Sequence, residues 1–195
     1  MVRTTALLLT SALGVALGAN TTLVAGKADL KSAGPLAFSP DGTLFLADPM
    51  GASIFALDTA DRKSQPGKSM DIKGANQQIA AKLGTAADQI LINDVAVNPV
   101  SHRVYFSVTR GRGADAAPVL LRTDGKGGIE EVALDKIPHS RAELPNAPAA
   151  DQKDRSGASR RMEAITDIAF VDGKVFVAGL SNEEFASTLR AVRPF

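Results

Sequence analysis

Three stretches of this chain are built on one plan: a short apolar strand, a tight turn, and a longer strand whose side chains alternate. They are residues 36–48 (LAFSPDGTLFLAD), 94–107 (DVAVNPVSHRVYFS) and 167–178 (DIAFVDGKVFVA). The turns carry Pro40-Asp41-Gly42, Asn98-Pro99 and Asp172-Gly173, residues that preset φ or tolerate positive φ in a hairpin. The alternating Val, Leu, Tyr and Phe of each second strand suit a half-buried sheet. A hairpin that recurs in this way predicts an all-β chain of repeated antiparallel units. Ala37, Ala96 and Ala169 occupy matching positions 59 and 73 residues apart. A four-stranded repeat takes roughly 40–50 residues, so insertions are expected.

The insertions can be placed. After the first hairpin, residues 53–58 (SIFALD) read as a third strand and residues 69–73 (SMDIK) as a short outer one. A first insertion covers residues 74–91, where the run from Asn76 to Leu91 switches to Ala, Gln and Leu at helical spacing, broken at Gly84. The second unit continues through Val119–Thr123, a turn at Asp124–Gly128 and a last strand at Ile129–Leu134. A second insertion covers residues 138–163. Pro138 to Arg161 is rich in Pro, Ala, Asp, Arg and Ser without an apolar period, and reads as a long polar loop. Residues 182–189 read as helical.

Four-stranded units whose inner strands begin alike are the signature of a β-propeller. The hairpins at 36–48, 94–107 and 167–178 resemble blades of the NHL, YVTN and WD-repeat-like propellers of exported bacterial proteins. No Trp-Asp or Gly-His pair of a true WD repeat is present. The expectation is an all-β chain with about three four-stranded blades over residues 27–195 and short helical insertions. Three blades do not close a ring, because propellers use about four to eight. The chain is therefore expected to be part of a six- or seven-bladed ring, or to pair with a second copy as a homo-oligomer.

Residues 1–26 have the layout of a secretory leader. Arg3 precedes an apolar run from Ala6 to Ala19 (ALLLTSALGVALGA) flecked with small residues, too short to span a bilayer comfortably. Cleavage fits after Gly18, or near Ala25 or Ala28; an uncleaved anchor is the alternative. With the leader removed, the expected product is secreted or periplasmic and not an integral membrane protein. With 22 basic against 21 acidic side chains, nothing builds the positive field that sequence-independent nucleic-acid binding needs. The chain has no cysteine, which removes disulfides, thiolate nucleophiles and cysteine-ligated zinc.

Candidate chemistry is sparse. Residues 92–97 (INDVAV) are similar to the Asn-Asp inner strand of gluconolactonase/regucalcin-type propellers, which hold a divalent cation such as calcium in the central channel. That resemblance implies Asn93 as a metal ligand, with Asp167 as a second candidate and Asp94 facing a ligand channel. Ala33 stands where that family places its Glu ligand, and a hard cation is poorly held without that carboxylate. Asn93, Asp94 and Asp167 have a plainer role open to them, capping the entry of a strand. His102 and His139 read as surface side chains. Lys153, Arg155, Arg160 and Arg161, interleaved with Asp151, Asp154 and Glu163, read as a solvated loop. Gly111-Arg112-Gly113 and Gly125–Gly128 precede no Lys-Ser/Thr step and read as hairpin connections. No nucleophile elbow is present, so no catalytic residue and no cofactor is assigned. The expected function is an exported scaffold that binds a protein or small ligand through its loops or channel. The alternative is a metal-dependent lactonase or hydrolase using Asn93.

Overall fold

A computed structural model describes residues 23–64, 72–182 and 187–193. Twelve strands and one α-helix make up three antiparallel sheets among these residues. The first hairpin forms β2 (Leu36–Phe38) and β3 (Leu44–Asp48), and β4 (Ser53–Leu57) follows. The turn between β2 and β3 closes with Gly42 N–H on Ser39 O at 3.0 Å, with Gly42 at φ 85°. The second sheet is a meander of β5 (Ile90–Val97), β6 (Val104–Arg110), β7 (Ala117–Thr123) and β8 (Ile129–Glu131). The third contains β10 (Asp167–Val171), β11 (Lys174–Leu180) and β12 (Ser187–Val192). Asp172 and Gly173, at φ 49° and 74°, form its two-residue hairpin turn, where both central positions need positive φ.

Side-chain alternation assigns each face. Leu44 and Leu46 of β3 join Leu36, Phe55, Leu57, Tyr105, Leu120 and Val132 in one cluster. Their neighbours Phe45 and Ala47 join Ile54, Ala56, Ile165, Ile168, Val175 and Val177 in another. The first sheet is thus buried on both faces, between the second sheet and the third, and every residue of β3 and β4 is buried. This explains why both read as near-continuous apolar runs. The helix α1 (Ala75–Lys82) comes from the first insertion. Its Ile79 and Ala80, with Leu83, cover Phe106, Val108, Val119 and Leu121 on the outward face of the second sheet. The layers therefore run helix, second sheet, first sheet, third sheet.

Three expectations are corrected here. The stretch from Pro138 is not all loop: β9 (Ile137–Glu143) is a strand of the first sheet, paired with β4 on one side and with β1 (Val24–Gly26) on the other. Its sequence, IPHSRAE, has no apolar period because its place in the sheet is secured by backbone pairing to two neighbours. The fourth strand expected at 69–73 falls largely outside the described residues; Ile72 and Lys73 are not in a strand, and the place beside β4 belongs to β9. Residues 187–189 are not helical but open β12, paired with β11 from Leu180↔Ser187 to Val175↔Val192. The rest of the expected helix, like nearly all of the leader, lies outside the described residues.

Arg161 is also not part of a solvated loop. It lies in a 3-10 turn at Arg160–Ala164 and reaches back to the first sheet. Its guanidinium donates to Pro148 O at 2.7 Å, Met50 O at 3.1 Å and Gly51 O at 3.3 Å. One planar fork thus ties residues 148 and 161 to the β3–β4 turn. Arg161→Ala is expected to cost about 2–3 kcal/mol, since charged hydrogen bonds are individually worth about 1.5–3 kcal/mol and do not add fully. Arg161→Lys should recover little, because an ammonium cannot reproduce the fork. Urea midpoints of the two variants check this.

Candidate functional site

The edges β2, β5 and β10 of the three sheets lie side by side, with β2 in the middle. An edge strand leaves backbone N–H groups unpaired, and one of them decides the task of Asp94. The β5–β6 register shifts between Ile92 and Asp94, so Asn93 is a bulge. A bulge inserts one residue and turns the following side chains to the other face. Ile92 accordingly packs on the helix side, whereas Ala96 packs toward the first sheet. Asp94, re-aimed in the same way, accepts the Leu36 N–H of β2 at 2.7 Å through Oδ2 and the Val95 N–H at 2.8 Å through Oδ1. It caps a sheet edge that has no strand beside it.

The other candidates stand nearby in the fold. Asn93 is exposed and donates from Nδ2 to Thr109 Oγ1 at 2.9 Å. Asp167 is exposed at the start of β10 and accepts the N–H of Ile168 at 2.8 Å. Ala33 is buried. Among the described residues no three carboxylate or imidazole groups converge to hold a metal ion. The neutral amide of Asn93 and the single carboxylate of Asp94 thus gain no further anionic oxygen there, and a hard cation taking six to eight oxygens does not fit this donor set. The same strand exposes Leu91 and, on the opposite face past the bulge, Val95 and Val97.

His102 is exposed in the β5–β6 turn at φ 60°. His139 is not on a loop: it is half-buried in β9, with Nδ1 3.0 Å from Ile137 O and its ring 6.0 Å from that of Phe55. Gly111 and Gly113 lie in the β6–β7 connection and Gly125–Gly128 in the β7–β8 connection, as the sequence indicates.

One polar cluster carries no sequence signal. Asp61, 7% exposed, follows β4 and inserts against the turn end of the second sheet. Its Oδ2 accepts Ser101 Oγ–H at 2.7 Å and the Tyr105 hydroxyl at 2.9 Å, and Arg103 Nε stands 3.7 Å from Oδ1. Glu130 bridges Arg103 at 3.1 Å and Arg122 at 2.7 Å, and Arg122 also donates to the Tyr105 hydroxyl at 3.3 Å. Asn98 Nδ2 holds the backbone carbonyl of Asp61 at 2.9 Å. Two arginines and two carboxylates balance, so the cluster is a charge-neutral lock between the first and second sheets.

Burial pushes the Tyr105 phenol above its usual 10.0, with the bond from Arg122 opposing. A group whose folded pKa is raised supports the fold below its unfolded value and loses that support as pH climbs through the folded value. Stability should therefore fall as pH rises above about 10, and Tyr105→Phe should flatten that limb. Denaturation midpoints between neutral and alkaline pH read this out.

An open groove of about 470 Å³ lies between residues 27–30 and the strands β7 and β8, with Lys27, Asp29, Glu131 and Asp135 along its walls. No described helix is long and apolar enough to cross a membrane. No family model, curated protein or solved structure matches the chain.

Proposed function

We propose that this chain is an exported, propeller-type scaffold that binds a protein or small ligand along the gathered inner edges of its sheets, without catalysing a reaction. The observation that carries this is the exposed apolar pair Val95 and Val97 on β5, just past a bulge that leaves Asn93 open to solvent. Contiguous exposed apolar side chains rimmed by polar ones are the mark of a binding surface. Support for the propeller architecture comes from the four-stranded meander of the second sheet and from three sheets stacked face to face with their first strands adjacent. In this reading the sheets follow the ring in the order third, first, second. The strand β9 returns to the first sheet, between β4 and β1, after the second is complete. Export to the periplasm or medium is supported by Arg3 and the apolar run Ala6–Ala19.

The test is capture of a binding partner or small ligand by the purified, processed protein from the extract of its own compartment, beside a Val95→Asp/Val97→Asp variant. Wild type should retain a component that the variant loses. Equal retention by both would remove β5 as the surface.

A further inference from the structure

The strand β1 begins a few residues past the apolar run of the leader, and sequence alone leaves one cut open on either side of it. A secretory leader is removed where small residues stand one and three positions before the cut. Ala16 and Gly18 meet that rule for a cut after Gly18, and Gly26 and Ala28 meet it equally for a cut after Ala28. The first leaves β1 on the exported chain and the second removes it.

The fold separates the two, because residues 23–34 are built into it. Val24, Ala25 and Gly26 pair with His139, Pro138 and Ile137 along the side of β9 away from β4. Pro138 costs this pairing nothing. Its carbonyl accepts the Asp58 N–H at 2.9 Å, so its backbone faces β4, and the backbone polar groups of Ile137 and His139 face β1. Leu23 packs against the cluster of Phe45 and Ile54, whereas Leu30 packs against that of Leu46 and Tyr105. Ala28 is 3% exposed and donates its N–H to Leu134 O at 2.9 Å. Further on, the Asp48 carboxylate accepts the N–H groups of Lys31 and Ser32 at 2.8 and 2.9 Å. A cut after Ala28 would take Leu23 and Ala28 from the two clusters that hold the first sheet. It would also leave the backbone of Ile137 and His139 as a bare sheet edge, a template for aggregation.

We propose that export removes the leader by hydrolysis of the Gly18–Ala19 peptide bond, so that the mature chain keeps β1 as the outermost strand of its first sheet. A leader peptidase of the exporting cell adds water across that bond: Gly18 leaves as a carboxylate, and Ala19 becomes the new amino terminus. This rests on the export reading above and fixes where processing stops.

Expression of the full chain with its own leader in a bacterial host tests it, read by N-terminal sequencing and intact mass of the exported product. The expected start is Ala19. Gly18→Leu should hold the precursor uncut, because a large side chain does not suit the position before the cut. In the same series, a chain begun at Asp29 should unfold at a lower urea midpoint than one begun at Ala19, or be lost to aggregation. An exported product that starts beyond Ala19 would overturn the proposal and leave export standing. Normal release of that product from Gly18→Leu would do the same. An intact Met1 on all of the material would overturn the cut and the export reading together. Equal midpoints for the chains begun at Ala19 and Asp29 would overturn the part given to β1.

Discussion

Phe55→Ala should lower the free energy of unfolding by about 3–5 kcal/mol, the range for removing a large aromatic from a packed core. Phe55 sits mid-strand in β4 with 2% of its surface exposed, in the cluster with Leu44, Leu46, Tyr105 and Leu120. Its ring is also flanked by His139 and lies under the Arg141 guanidinium, 5.7 Å from the ring centroid. These two residues belong to β9, so the ring packs the returning strand as well as the core. Neighbours cannot readily collapse into the space left, because the first sheet is held from both faces. Urea unfolding measures the loss. A drop below about 1 kcal/mol would mean that the first sheet is not the buried central layer.

Asp61→Ala should cost a similar amount, about 3–5 kcal/mol, by a different route. Removing one partner of a buried ion pair leaves the other charge uncompensated. Here the loss would leave Arg103 with Glu130 alone, strip the Ser101 hydroxyl of its acceptor and leave the Tyr105 hydroxyl only Thr59 as an acceptor. Glu130 is the comparison. It is more exposed than Asp61, and water can replace it, so Glu130→Ala should cost clearly less. Equal losses for the two variants in the same denaturation series would remove Asp61 from the centre of the lock.

The hairpins were legible because their signals are local. Asp172-Gly173 has the backbone freedom its turn requires, and Leu44 to Ala47 is an unbroken apolar run that suits a strand buried on both faces. The misread segments are those fixed by distant pairing. Residues 137–143 form a strand through backbone bonds to β4 and β1, which ask nothing apolar of Pro138, His139 or Arg141. Residues 187–192 (STLRAV) have weak local preference, and pairing with β11 decides their state. Asn93 and Asp94 were singled out as residues, but the task of Asp94 is set by Leu36, 58 positions away. Asp61 had no signal at all, because its partners come from the β5–β6 turn and from β6 of another sheet. The order of the sheets was equally hidden, since nothing near Asp167 announces that the third sheet packs on the first.

We propose that the inner edges form a binding surface and not a catalytic metal centre. The most direct measurement follows lactone and ester hydrolysis, together with bound metal, in wild type and Asn93→Ala, on the same preparations used for ligand capture with Val95→Asp/Val97→Asp. Capture should depend on Val95 and Val97, and neither turnover nor metal content should respond to Asn93→Ala. Hydrolysis and a bound divalent cation that are both lost in Asn93→Ala, with capture unaffected by the β5 variant, would contradict it.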